Sequence, residues 1–590
     1  MLRRSSVLGP ILALAAGSAA LAQSTTRASV DSVGTQGNAI SLYPAITPDG
    51  RYVAFESGAT NLVAGDTNAV RDVFVHDRQT GVTTRVSVSS TGTQAMWGGN
   101  NPVISADGRY VAFTGASDDL VAGDTNGVRD VFRHDRQTGT TIRVSLDPSG
   151  AQFPTGIESS DPCISGDGRY VGFYNWADDT TSEAIFVRDV TGATTTQVSV
   201  DPSNAPSPGG YYRSSISADG RYIAFEGFET TVVPGDTNSF WDVFVRDLQT
   251  GTTVLASADA GGGFSNGFSG EPSISANGRT LAFTSYATDL VAGDANGKAD
   301  VFVRDLVAGT TELASTSSSA IQGNDDVSEV AISPDGRYVA FGSPATQLVP
   351  SDTNAKSDVF LRDRQTGVTT RLSVDSAGGQ GNDHSGIFGI AVSQDAGSVA
   401  FWTDSVNLVL GDSNGVGDVL VRDRMEADAT PLCFGDGTGA ACPCANTGAP
   451  NRGCQNSSST GGAVLGATGV ASLSADTLHV TIYGAKPSVL CLLFQGDAQQ
   501  APVLNGDGLL CLDGTLKRLF WHTAKLGVMT APQGADLSVS ARSAAKGDTI
   551  PPGGERFYQA YYRDTVAGFC PDPPGKTWNV SNVLSVVWAP

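Results

Sequence analysis

Six short stretches of the 590-residue chain alternate oxygen-bearing side chains: GDTNAVRD from Gly65, GDTNGVRD from Gly123, GDTNSFWD from Gly235, GDANGKAD from Gly293, SDTNAKSD from Ser351 and GDSNGVGD from Gly411. Calcium takes hard oxygen ligands at short range, and acidic or amide side chains on a loop that glycine allows to turn can supply them. The best candidate ligands are Asp66, Asn68 and Asp72, then Asp124, Asn126 and Asp130, then Asp412, Asn414 and Asp418. Elsewhere Lys298 and Lys356 oppose a cation, and no loop has a carboxylate at its fifth position, where Val70, Val128, Phe240 and Val416 also stand. The competing reading is a turn, because Asp and Asn bond their own backbone.

Other chemistry is sparse. The five histidines are His76, His134, His384, His479 and His522, and the first two stand where Arg188, Arg246, Arg304, Arg362 and Arg422 stand in other repeats. They are repeat-position substitutions rather than a catalytic pair. No G-x-S-x-G elbow, H-E-x-x-H or phosphate-binding loop occurs. A glycosidase or lyase needs carboxylates facing a cleft, and Glu56, Glu226 and Asp404 are the acids outside the repeated positions that keep such an enzyme open as an alternative.

The loops belong to a larger period. ITPDGRYVAF from Ile46, ISADGRYVAF from Ile104, ISGDGRYVGF from Ile164, ISADGRYIAF from Ile216, ISANGRTLAF from Ile274, ISPDGRYVAF from Ile332 and VSQDAGSVAF from Val392 make seven copies. Each copy continues through the Asp/Asn loop into a run such as DVFVRD, a turn such as LQTG, and a run such as TTRVSV. Short β-branched and aromatic runs between DG and TG turns read as strands joined by hairpins. Four strands follow per repeat: a ends at the DG turn, b is RYVAF, c is DVFVRD and d is TTRVSV. Strands b and c are apolar on both faces, so each sheet is covered on both sides, as the radially stacked blades of a β-propeller are.

The ends of the array carry complementary defects. TTRASVDSVGTQGN, from Thr25 to Asn38, matches TTRLSVDSAGGQGN, from Thr369 to Asn382, and is a strand d without its own a, b and c. Repeat seven lacks a strand d after DVLVRD, Asp418 to Asp423. The N-terminal strand is therefore expected to complete blade seven and close the ring, which removes two exposed sheet edges.

These residues resemble the TolB-type repeats of bacterial β-propellers, whose pattern is close to I-S-P-D-G-R-x-[IV]-A-F followed by D-[IV]-[FY]-V-x-D. The resemblance covers about Thr25 to Asp423 and implies a propeller. It implies little about function, since propellers serve as platforms, enzymes and scaffolds. TolB itself carries an α/β domain before its propeller and acts in a periplasmic envelope complex; that domain has no counterpart in this sequence, so the TolB role is not carried over.

In a propeller the a-b and c-d turns share one face, and here they are short and uniform. The other face carries the Asp/Asn loops (b-c) and the variable d-a loops. On it the exposed candidates for ligand binding are Trp97, Phe153, Tyr211, Tyr212, Phe264, Phe268, His384 and Phe388. Variable loops on a rigid scaffold are where binding usually resides.

The outer segments complete the expectation. Residues 1–22 have Arg3 and Arg4, an apolar run and an Ala20-Leu21-Ala22 cleavage site, which reads as an export signal;. Residues 23–426 form the propeller. Residues 427–590 hold seven of the eight cysteines and read as a small disulfide-stapled β-sandwich, since export favours bridges over zinc;. A net charge of −23 opposes nucleic acid and anionic lipid, and no later segment could span a membrane;. The expected protein is all-β: a seven-bladed propeller and a β-sandwich. Its expected role is an exported, non-enzymatic scaffold binding a protein or glycan, with Ca2+ as a possible structural ion; the alternative is a carbohydrate-active glycosidase or polysaccharide lyase.

Overall fold

The computed structural model describes residues 24–424 apart from 178–182, 208 and 377. Between 429 and 588 it leaves out 433–453, 455–462, 469–470, 472, 474–475, 477, 487, 506–507, 525–528, 534–535 and 564–577. The export signal and Cys433, Cys442, Cys444 and Cys570 lie outside the described residues. The chain divides into two compact units, one of them Gln23–Arg424 and the other containing Met425–Pro590.

The first unit is built of seven four-stranded antiparallel sheets arranged as blades. Blade one has strand a at Ser41–Ile46, b at Tyr52–Ser57, c at Asp72–Asp77 and d at Val82–Arg85. The next five blades repeat this order in sequence. In the seventh, Ser385–Val392, Ser398–Thr403 and Asp418–Asp423 supply a, b and c, and Ser24–Arg27 pairs antiparallel with strand c, Ser24 opposite Asp423 and Arg27 opposite Leu420. Val53, Phe55 and Phe74 of blade one pack in one buried cluster with Ala400, Val419 and Val421 of blade seven and Ala28 of the N-terminal segment. Similar clusters lie between successive blades, for example Val73, Val75, Phe113 and Phe132 between blades one and two. The residues apolar on both faces of b and c are thus those pressed between neighbouring sheets.

Repeated polar residues hold the ends of most blades. At one end the Arg of each DGR turn pairs with the last Asp of strand c: Arg51 Nε and Nη2 donate to Asp77 Oδ1 and Oδ2 at 2.9 and 2.7 Å. Arg109–Asp135, Arg169–Asp189, Arg221–Asp247, Arg279–Asp305 and Arg337–Asp363 repeat it. Two parallel N–H···O bonds fix the a-b turn against the c-d turn. Gly50 in that turn has φ +70°, which a side chain would strain;.

In the second unit a five-stranded sheet runs in the order Ala429–Leu432, Trp578–Val587, Glu555–Arg563, Leu490–Gly496, Lys517–Thr523. A three-stranded sheet of Val464–Thr468, His479–Tyr483 and Met529–Ala531 shares its core, where Val480, Ile482, Leu493, Tyr558, Tyr562 and Trp588 are buried. One feature departs from the sequence reading. A seven-residue helix, Val539–Ala545, is present, too short to register as an amphipathic period. Cys454 and Cys511 are disulfide-bonded, whereas Cys491 is a buried free thiol.

Candidate functional site

In the b-c loops the repeated Asn and the Asp that opens strand c each have a local task. Asn68 Nδ2 donates to Ala95 O of the following d-a loop at 2.8 Å, and Asn126, Asn238, Asn296, Asn354 and Asn414 do the same to Phe153, Ser265, Gly323, Gly381 and Gly37. These straps bring the b-c and d-a loops onto one face. The last Asp of the motif, opening strand c, accepts from a serine after strand d, as Asp72 Oδ1 does from Ser87 Oγ at 2.5 Å and Asp418 Oδ1 from Ser29 Oγ at 2.7 Å.

The donor sets proposed for calcium are already matched. Arg85 lies 3.4 Å from Asp66 and 3.5 Å from Asp72, Arg143 2.8 Å from Asp124 and 3.6 Å from Asp130, and Arg27 3.1 Å from Asp412 and 3.0 Å from Asp418. A guanidinium from the end of strand d therefore sits as counter-cation between the two carboxylates. Asn68, Asn126 and Asn414 are committed to the straps. Calcium wants six to eight oxygens, and these three loops do not fit it. Among the described residues no group of three or more His, Cys, Asp or Glu side chains is placed to hold a metal. In blades four and five Leu255 and Leu313 replace the arginine. There burial, together with the neighbouring Asp236 and Asp294, pushes Asp242 and Asp300 up to about 6.

The aromatic candidates separate into core and surface. Phe153 is buried against Phe173 and Phe186, and Tyr211 against Phe225, so these two are corrected to core residues that fill the space beneath their own loops. Phe264 packs beside the core between blades three and four. Half-buried His384 accepts the Ser357 N–H at Nδ1, 3.1 Å away. Trp97 (63% exposed), Tyr212 (39%) and Phe388 (38%) do reach solvent. Phe268 continues a string of rings, Phe228, Trp241, Phe268 and Tyr286, with centroids 5.3, 6.3 and 6.5 Å apart. His76 and His134 bond Thr83 and Thr141 through Nδ1, as Arg246 bonds Thr253, and burial lowers both histidines, His134 to about 4.

The site that sequence reasoning found only in part, through Tyr212, Glu56 and Glu226, lies on strands a and b at the inner mouth of this loop face. Each strand a is interrupted by a register shift, and Tyr43, Asn101, Asp161 and Glu271 occupy that place with φ of 48°, 49°, 49° and 54°. Arg213 and Glu329 hold the same place in blades four and six. These side chains converge. Asn101 Nδ2 donates to Asp161 Oδ1 at 2.6 Å, and Arg213 lies 3.1 Å from Glu271 and 3.6 Å from Glu329, two blades away. Burial opposes charge on Arg213, but the carboxylates of Glu329, Glu271 and Glu226 outweigh it and raise its pKa. Burial raises Glu271 and Glu329 in turn.

The second variable position follows the Phe of strand b. Glu56 Oε2 accepts the Asn101 N–H at 2.9 Å and Glu226 Oε2 accepts the Glu271 N–H at 2.5 Å, each linking its blade to the next. Glu226 is 4% exposed, and burial pushes it up to about 7. In blade two the shorter Thr114 stands there. Beside it opens a cleft of about 350 Å³ whose lining includes Asn101, Arg129, Asp161, Tyr174, Trp176 and Tyr212. Blade three, whose b-c connection is only 178–183 where blade one has 58–71, contributes Tyr174 and Trp176. A smaller depression of about 130 Å³ adjoins it, sharing Asn100, Thr114 and Arg129 and reaching Trp97.

No known family pattern matches this chain, and no curated protein does. Among solved structures, TolB from Acinetobacter baumannii is 13% identical with a TM-score of 0.32, over 56% of this chain and 63% of that one. The chain thus spans less than two thirds of that TolB. An oligogalacturonate lyase in complex with manganese is 12% identical with a TM-score of 0.42, over 68% of this chain and 96% of that one. The β-propeller domain of the Trilobed protease from Pyrococcus furiosus is 12% identical with a TM-score of 0.40, over 65% and 93%. At these values the likenesses carry nothing about ligand or activity.

Proposed function

We propose that the protein is an exported, non-enzymatic binding protein, in which a closed seven-bladed ring offers its b-c and d-a loop face to a protein or glycan ligand. One observation carries this reading: blades that repeat their framework contacts differ at two strand positions, and both meet at the mouth of that face, where the cleft opens. A framework kept uniform around a locally individual, concave, aromatic and polar surface is the arrangement of a binding site. The leader-like residues 1–22 and the disulfide-bonded Cys454 and Cys511 support export;.

The carbohydrate-active alternative draws on Glu226, whose raised pKa beside Arg213 suits an acid-base catalyst;. Against it, Glu226 is buried and one of its oxygens already holds the Glu271 N–H. Incubation with a polysaccharide panel, followed by chromatography of the products, tests the choice. The binding reading predicts no new chain ends, and turnover abolished by Glu226→Gln or Asp404→Asn would replace it with the enzyme.

A further inference from the structure

Resting on that binding reading, we infer that the cleft between blades two, three and four is a site for a neutral oligosaccharide. The charged groups of the cleft are matched from within. Asp161 accepts from Asn101 Nδ2 at 2.6 Å and from Ser160 Oγ at 2.7 Å, and Arg129 faces Glu158 at 3.6 Å. Both Asp161 oxygens thus already accept hydrogen bonds and Arg129 faces a carboxylate, so the buried atoms of the lining that lack a partner belong to uncharged groups.

Two of those uncharged groups are buried and unpaired. Thr114, 1% exposed, has no hydrogen-bond partner for Oγ1, and Asn100 has none for Oδ1. Its blade-five counterpart, Thr284, does bond, to Gly270 O at 3.3 Å. A buried polar atom without a partner is costly, and a ligand hydroxyl relieves it. The amide oxygen of Asn100 accepts only, so it calls for a donor, while the Thr114 hydroxyl can give or take. Aromatic surface completes the lining: Tyr174 and Tyr212 meet edge to face with centroids 5.6 Å apart, and Trp176 lies beside them. Flat rings that cover C–H faces, next to paired donors and acceptors that satisfy hydroxyls, fit a saccharide. The adjoining depression toward Trp97 gives room for more than one sugar unit.

The test uses the full mature chain. Titration calorimetry and tryptophan fluorescence are recorded with maltotetraose, cellotetraose, mannotetraose, xylotetraose and chitotetraose, with tetragalacturonate and a neutral tetrapeptide as comparators. At least one neutral tetrasaccharide is expected to bind more tightly than either comparator. Tyr212→Ala and Thr114→Val should each weaken it about tenfold, as loss of a contact worth about 1.4 kcal/mol does. Val307→Ala, in an exposed c-d turn on the opposite face, should leave it unchanged. Should Thr114→Val not fold, Asn100→Ala takes its place. The proposal is overturned if no neutral tetrasaccharide binds, if the acidic sugar or the peptide binds best, or if binding survives both cleft substitutions. A protein ligand lost on substitution of the loop face would still leave the broader binding function standing, whereas turnover would remove it.

Discussion

Replacing Glu226 by Gln should make the protein more stable at pH 8 and leave it nearly unchanged at pH 4.5. Glu226 is 4% exposed, and burial lifts its carboxyl from 4.5 to about 7, against the lowering effect of the Glu271 N–H and of Arg213. Because the folded-state pKa lies above the unfolded one, the folded chain holds a proton that the unfolded chain releases. The penalty for ionising Glu226 is therefore full above pH 7, fades as pH falls through 7, and is gone below 4.5. At 1.36 kcal/mol per pH unit the shift corresponds to about 3 kcal/mol. Glutamine keeps an acceptor for the Glu271 N–H and removes the charge. Some of the gain is lost because Glu226 also supports the Arg213 cation, so an increase of about 2 kcal/mol is expected at pH 8. Urea unfolding of both proteins at pH 8, 6 and 4.5 measures it. Equal stability at all three values, or a less stable variant at pH 8, would refute the assignment of the raised pKa to this buried acid.

Three further outcomes follow from the same contacts. Arg143→Leu leaves Asp124 and Asp130 facing each other without their guanidinium and should cost about 3 kcal/mol at pH 8, less at pH 5, where the carboxylates take up protons; a pH-dependent loss in urea unfolding checks it. Because Arg85, Arg143 and Arg27 already neutralise the candidate calcium loops, neither a chelator nor excess calcium should move the melting temperature, and calorimetry showing a calcium-dependent rise would contradict the mismatch between these loops and the ion. The thiols of Cys163 and Cys491, raised by burial to about 11 and about 12, should resist labelling in the native protein and react after unfolding, as mass mapping of alkylated peptides would show;.

The blades were legible because their framework contacts recur in sequence as well as in space. Arg51 with Asp77, Asn68 with the Ala95 carbonyl, and Asp72 with Ser87 are each repeated at fixed spacing, so the periodic residues report the scaffold. That regularity also misled, since Asp66, Asn68 and Asp72 have the spacing of a calcium loop while their partner, Arg85, lies beyond the motif. Phe153 and Tyr211 resembled exposed loop aromatics because a one-dimensional repeat does not tell a ring over a loop from one beneath it. Most of the cleft, Tyr212 and the neighbouring Trp97 apart, was overlooked for a related reason. Its residues sit within strands, at single positions such as Asn101, Asp161, Thr114 and Tyr174. The signal was nevertheless present: aligned by their ISPDG markers, the repeats read Tyr43, Asn101, Asp161, Arg213, Glu271, Glu329 and Gly389 at one column, seven blades with six residue types.

Hydrogen-deuterium exchange with and without the pooled neutral tetrasaccharides shows whether ligand is held at the inner mouth of the loop face on blades two to four. Slower exchange is expected in Asn100–Ile104, Ile157–Ile164 and Tyr211–Ile216, the three strands a that border the cleft, with the a-b and c-d turns unchanged. Protection confined to those turns, or none anywhere at saturating sugar, would contradict it.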